Sequence, residues 1–272
     1  MVHVKQKYDL AFGFGPACSC SQTLRRSGLQ LLSFPFDWIG PDAGNVGWDD
    51  DVRRRTDLIC SEFADWLHAE DFSYRSDHPT NGKSIYFNAV LHLVFIHDFP
   101  KGVPLAESFP AIRDKYARRI ARFLGLLRSS RRILVARVDR PDLSYRTPLD
   151  DCRYAMRRLG EKFPNARFDF LLLQPDRAVP FEKRTVEDLG DGITRIAFDY
   201  QDRTPGNELF PKLDQTAAAV RELFEVKDYR SRGEIAEWKC KSRAKRYAKL
   251  GASNFLQYQL RRLKKALAGD VR

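Results

Sequence analysis

Apolar residues fall along this chain in two rhythms, and the alternation between them predicts its elements. Residues 7 to 13 (KYDLAFG) are nearly all apolar toward their end and predict a buried strand. From residue 18 to 27 the spacing is helical, with Leu24 facing inward and Gly28 as the stop. LQLLSF predicts a short strand running into PFDW at residues 35 to 38. After a loop over 41 to 48, residues 49 to 70 predict an amphipathic helix on which Val52, Ile59, Phe63, Trp66 and Leu67 share a face. Its first turn holds three Asp, which suit the helix dipole. A polar loop, SDHPTNGKS, precedes SIYFNAVLHLVFIHDF, which predicts one apolar strand ending near His97.

The second half has a more regular beat. Residues 108 to 130 predict a helix whose stripe is Ile112, Tyr116, Ile120, Phe123 and Leu127, with Ser108 as its N-cap. RRILVARVD predicts a strand, DDCRYAMRRLGEKF a helix, RFDFLLLQPD and TRIAFDY two strands, and residues 210 to 226 a helix. Continuous apolar strands between amphipathic helices imply an α/β fold: a helix-covered sheet, largely parallel or mixed. The last segment is different. It predicts basic helices, with Leu256, Leu260, Leu263 and Leu267 spaced as one face of an amphipathic helix among Arg261, Arg262, Lys264 and Lys265.

Charge sharpens that division. The chain of 272 residues has a net charge of +11, and residues 227 to 272 carry fourteen Lys and Arg against four Asp and Glu. The body before them is close to neutral. Two parts follow: an α/β domain over 1–226 and a basic amphipathic helical extension over 227–272, suited to an anionic membrane surface. No nucleic-acid-binding motif accompanies the basic charge, so nucleic acid is not an expected partner. The longest apolar run, VLHLVFI, is far short of the roughly 18 residues that span a bilayer. Five cysteines and no signal-peptide pattern imply a cytoplasmic protein with reduced thiols, peripheral at most to the inner membrane face.

Candidate chemistry gathers at GFGPACSC, residues 13 to 20. A strand, a glycine turn and a helix start put Cys18 or Cys20 at the positive end of a helix, where a thiolate is stabilised. The same turn could instead hold a phosphate, with Gly15 allowing close approach. The dinucleotide fingerprint fails at its third position, where Cys18 stands for Gly or Ala. No second Cys/His cluster has zinc-like spacing, so no metal and no other cofactor is expected. Among the five histidines, His97 lies at the predicted strand end, beside Asp98. Asp37 inside PFDW and Arg137 inside ILVARVD are charges in apolar settings, and each needs a partner or a ligand.

Taken in order, the strand, the glycine turn with Cys18, LRRSGL, PFDW, FIHDF and ILVARVD resemble a bacterial family of papain-like cysteine peptidases, a domain otherwise of unknown function. The likeness covers roughly residues 8 to 140. Its pattern has a Cys after a glycine turn, then PFDW, then HDF. The resemblance implies that Cys18 is a nucleophile and His97 its general base, in a peptidase, hydrolase or acyl transferase acting on an acyl, peptide or glycan-type substrate. Asp139, Asp37 and Asp98 remain open as the group that orients the imidazole. Gly15, Asp37 and Arg137 are the expected substrate-binding residues of this site. Two other readings stay beside this one. One is a transferase of bacterial surface-polysaccharide assembly, with a phosphate-bearing donor at the glycine turn and Arg137 helping to hold it. The other is a non-enzymatic binding module with a basic membrane-surface helix.

Overall fold

A computed structural model describes residues 5–16, 18–41, 51–64, 66–142, 145–205, 207, 210–231 and 233–235. Residues 1–228 form one compact unit and residues 229–272 a second. The predicted basic helices of the extension lie almost wholly outside the described residues, so the description concerns the first unit.

Its centre is a five-stranded sheet. Strands β2 (Leu10–Gly13), β7 (Arg132–Val138), β8 (Arg167–Pro175) and β10 (Ile193–Phe198) run parallel in that spatial order, and β9 (Thr185–Asp188) closes the edge antiparallel to β10. The fold is therefore α/β with a helix-covered sheet, as the pattern implies. Side chains of β7 alternate between two cores, as a strand buried on both faces must. Leu134, Ala136 and Val138 join Ala11, Leu171 and Leu173 on one face. Helices α1 (Cys18–Ser27) and α5 (Leu213–Leu223) cover this face with Cys20, Leu24, Ala219 and Val220.

The opposite face receives α3 (Leu105–Ser129) and α4 (Leu149–Lys162), and α2 (Asp51–Cys60) packs on α4. Phe12 of β2 meets Phe123 of α3 edge to face, ring centres 4.9 Å apart. From there aromatic rings lead to a second sheet of four antiparallel strands in the order β3 (Ile39–Pro41), β6 (Leu93–Pro100), β5 (Lys83–Asn88) and β4 (Phe72–Asp77). Trp66 stands midway, against Phe36, Phe95 and Tyr116. A short parallel pair, β1 (Gln6–Tyr8) and β11 (Phe224–Val226), joins the two ends of the unit.

The differences from the sequence reading have local causes. LQLLSF is irregular rather than a strand. Gly28 adopts φ 82°, and Leu29 and Gln30 both donate backbone N–H groups to the Leu24 carbonyl, which folds the chain back onto α1. Helix α2 stops at Cys60 instead of running to residue 70, and Glu62, Phe63 and Leu67 take positive φ values so that Phe63 and Trp66 reach the aromatic core. The long apolar run is a hairpin, β5 and β6, turning at residues 89 to 92 with His92 at φ 52°. Ser108 lies inside α3, which begins after Pro104, and its hydroxyl donates to the Pro104 carbonyl.

Gly13 is the residue that lets α1 lie on the sheet. A Cβ there would stand 2.9 Å from the Cys20 sulfur, and that sulfur already contacts the Ala136 carbonyl at 3.5 Å. Gly13→Ala is expected to cost about 1–3 kcal/mol through overpacking. Cys20→Ala in the same chain should recover part of that cost, giving a coupling of about 1 kcal/mol in a urea-denaturation double-mutant cycle. Strictly additive effects would contradict this packing account.

Candidate functional site

Cys18 opens α1 and is partly exposed, whereas Cys20, two residues on, is buried in the core. The helical turn thus separates the pair: Cys20 packs under the sheet, and Cys18 stays partly exposed. Burial raises the Cys20 thiol to about 12. Burial also raises the Cys18 thiol. The Gln22 side chain, the backbone N–H groups of Cys18 and Ser19, and the Arg140 charge pull it the other way. These are the donors a helix start provides to an anion. At rest the Cys18 sulfur is therefore a neutral thiol beside a ready set of donors.

His97 lies inside β6, not at its end. An irregularity in β6 decides where it points. Phe95 pairs with Tyr86 and Phe99 with Ser84, so residues 96 to 98 face Ile85 alone. That bulge sends Asp98 inward, where it accepts from Tyr116 Oη at 2.9 Å and pairs with Lys115, and leaves His97 half-buried on the other side. The His97 ring stands 5.6 Å from Trp38 and 6.4 Å from His78, with Nδ1 3.4 Å from Asn81 Nδ2. Burial lowers its pKa, Asp98 opposes that, and the charges of His78 and Lys83 add to it, so the imidazole is neutral near pH 7.

The groups that shift the Cys18 thiol (Gln22, Ser19, Arg140) and those that shift the His97 imidazole (Asp98, His78, Lys83) are different residues. What connects the two neighbourhoods is β3. The Gly40 backbone presses on the Pro16 carbonyl so closely that a Cβ would be 2.6 Å from that oxygen. Gly40 pairs with Val94 of β6, and the Trp38 ring, against His97, is 6.0 Å from the Arg25 guanidinium of α1.

The three carboxylates considered as orienters of His97 are held elsewhere. Asp139 follows β7, whose neighbours are β2 and β8 rather than β6. It accepts from Thr147 N and Oγ1 and from Gln174 Nε2. Asp98 faces α3, as above. Asp37 is the hub of the loop between α1 and β3: it accepts from Gln30 Nε2 at 2.7 Å, Arg25 at 2.9 Å, the Phe34 N–H at 2.9 Å and Ser21 Oγ at 3.2 Å. The group that touches the imidazole is Asn81, which sequence reasoning missed. It sits in a polar loop with no pattern of its own, and only the hairpin brings it to residue 97.

Arg137 is fully buried. Its NH1 donates to the Phe14 carbonyl and to Asp51, each at 2.5 Å, and its Nε donates to Thr147 Oγ1 at 3.0 Å. Burial disfavours its charge, but Asp51 and then Asp139 outweigh that and raise its pKa. Arg55, also missed by the sequence reading, shares Asp51 through Nε at 2.8 Å. Gly15 follows Phe14, whose carbonyl accepts from Arg137. Among the described residues no group of three or more His, Cys, Asp or Glu could hold a metal ion, and no helix is long and apolar enough to cross a membrane.

Asp37→Ala would leave the Gln30 and Arg25 donors facing an apolar gap. Urea denaturation is expected to show a loss of about 3 kcal/mol, as for other broken buried pairs. A loss below about 1 kcal/mol would show that the hub is dispensable.

No family model matches the chain, and no solved structure matches it. One curated protein does: the uncharacterized protein R408 of Acanthamoeba polyphaga mimivirus, 26% identical over an alignment of 145 residues, which covers 47% of this chain. The match spans 60% of that relative's length.

Proposed function

We propose that the protein is a thiol-dependent acyl-transfer enzyme, a papain-like cysteine hydrolase or acyl transferase, with Cys18 as nucleophile and His97 as general base. The observation that carries this reading is the partly exposed Cys18 at the start of α1, with its own and the Ser19 backbone N–H groups and Gln22 favouring its thiolate. The order of Cys18, PFDW and HDF along the chain, and its resemblance to papain-like peptidases, supports it further.

The raised thiol and the lowered imidazole favour one version of the chemistry. Both groups rest neutral, so the proton leaves Cys18 as the sulfur attacks the acyl carbon, as in a serine hydrolase, rather than from a preformed ion pair. His97 takes that proton and returns it to the leaving group. The N–H groups at the helix start, with Gln22, hold the oxyanion. The acyl-enzyme then passes to water or to another acceptor. On this reading the enzyme works in the cytoplasm, and the basic extension over 227–272 brings it to an anionic membrane surface.

Iodoacetamide labelling of Cys18, followed by peptide mass spectrometry across pH, tests the pairing. A base that must be deprotonated gives a rate that rises with pH through the lowered pKa of His97, below the usual imidazole range. His97→Ala should remove that limb. A single rise at or above the ordinary thiol range, unchanged in His97→Ala, would rule the pair out.

A further inference from the structure

The Arg55–Asp51–Arg137 cluster has more donors than acceptors. Asp51 opens α2 and divides its carboxylate, Oδ1 to Arg55 and Oδ2 to Arg137. Asp139 adds a second carboxylate on the Arg137 side only, at 3.5 Å. Arg55 thus has half of one carboxylate, and its guanidinium face lies over the Phe36 ring at 5.1 Å. Arg55 NH1, Arg55 NH2 and Arg137 NH2 are buried with no hydrogen-bond acceptor among the described residues, and both side chains are essentially unexposed.

Donors left this way in an interior are costly, and native proteins rarely keep several together without a use. The pattern is specific. Arg55 has its Nε tied and its flat face stacked, so NH1 and NH2 form a free fork. A planar fork of this kind matches two oxygens of a carboxylate or phosphoryl group. Position agrees. Arg137 NH1 holds the Phe14 carbonyl, directly before Gly15 and the turn to Cys18, at the carboxyl ends of parallel β2 and β7. Ligands of open parallel sheets bind at that edge.

We propose that Arg55 and Arg137 form a binding site for an oxyanion group, a carboxylate or phosphoryl, of a ligand that enters beneath the Gly15–Pro16 turn. Arg55 supplies the bidentate contact and Arg137 NH2 a third donor. Asp51 positions both guanidinium groups. The site does not depend on the thiol chemistry proposed above, since none of its donors comes from Cys18 or His97.

Thermal denaturation of the full chain tests it, with sodium phosphate, sodium acetate or sodium chloride titrated at equal ionic strength. Phosphate or acetate should raise the melting temperature saturably where chloride does not. A response to phosphate alone indicates a phosphoryl ligand, and a response to acetate alone a carboxylate. Arg55→Lys keeps the charge and loses the fork, so it should weaken the saturable response at least about tenfold. Should that variant fail to fold, arginine side-chain NMR of the wild-type protein decides. Arg55 Nη resonances that move saturably with phosphate or acetate support the site. Melting temperatures that follow ionic strength alone, an undiminished response in Arg55→Lys, or unmoved Nη resonances would overturn it.

Discussion

The first unit depends on how the chain between α1 and α2 is fastened. Two sheets of different kinds, one parallel and one antiparallel, meet through residues 29 to 41. Asp37 gathers that segment onto α1 by accepting from Ser21, Arg25, Gln30 and Phe34. Three residues later Gly40 lies against the Pro16 carbonyl while pairing with β6. The carboxylate is buried because its donors replace water, and the close approach is open because glycine has no Cβ. Phe34 and Phe36, placed by the same fastening, continue the aromatic core from Phe14 and Phe123 toward Trp66.

Chemistry follows from this arrangement. The turn after β2 leads to a partly exposed cysteine, and the Phe14 carbonyl just before it accepts from the buried Arg137. The antiparallel sheet contributes an imidazole rotated outward by the β6 bulge. Cys20, which the turn and helix-start pattern does not separate from Cys18, is a core residue by its contacts with Gly13 and Ala136. The same two-residue spacing that buries one thiol frees the other. Burial acts on the Cys18 thiol and the His97 imidazole in opposite directions, raising one pKa and lowering the other, so that each rests uncharged.

Much of this was legible in the sequence, for identifiable reasons. Helices α3, α4 and α5 and strands β7, β8 and β10 follow their hydrophobic period because both sheet faces are covered and each helix has one buried stripe. The exposed edge strand β9 has no such period, and Phe224–Val226, read as the end of the last helix, leave it as β11 to pair with β1. The α1 start and the Gly28 stop follow from turn chemistry. The hairpin in SIYFNAVLHLVFIHDF was hidden because its turn is as apolar as its strands and is made by His92 in a left-handed conformation, with no glycine or proline to mark it. The shortened α2 was hidden because tertiary packing of Phe63 and Trp66 overrides helical periodicity. At the site, Asp37 and Arg137 stood out as charges in apolar runs, and both are buried in networks. Asp139, one of three open candidates to orient His97, follows β7, whose sheet neighbours are β2 and β8 rather than the histidine strand. Arg55 and Asn81 carry no signal at all, because one is an ordinary helix cation and the other a loop residue until the fold assigns their neighbours.

The central claim is that the Pro16–Gly40 contact joins the two sheets and sets the turn that holds Cys18. Native-state hydrogen exchange of Gly40→Ala measures it directly. The account predicts that protection falls together at the β3–β6 pairing, around Ile39 and Phe95, and at Phe14, whose N–H donates to the Ala136 carbonyl at the end of the β2–β7 ladder. Loss confined to β3 and β6, with Phe14 exchanging as in the wild type, would contradict it.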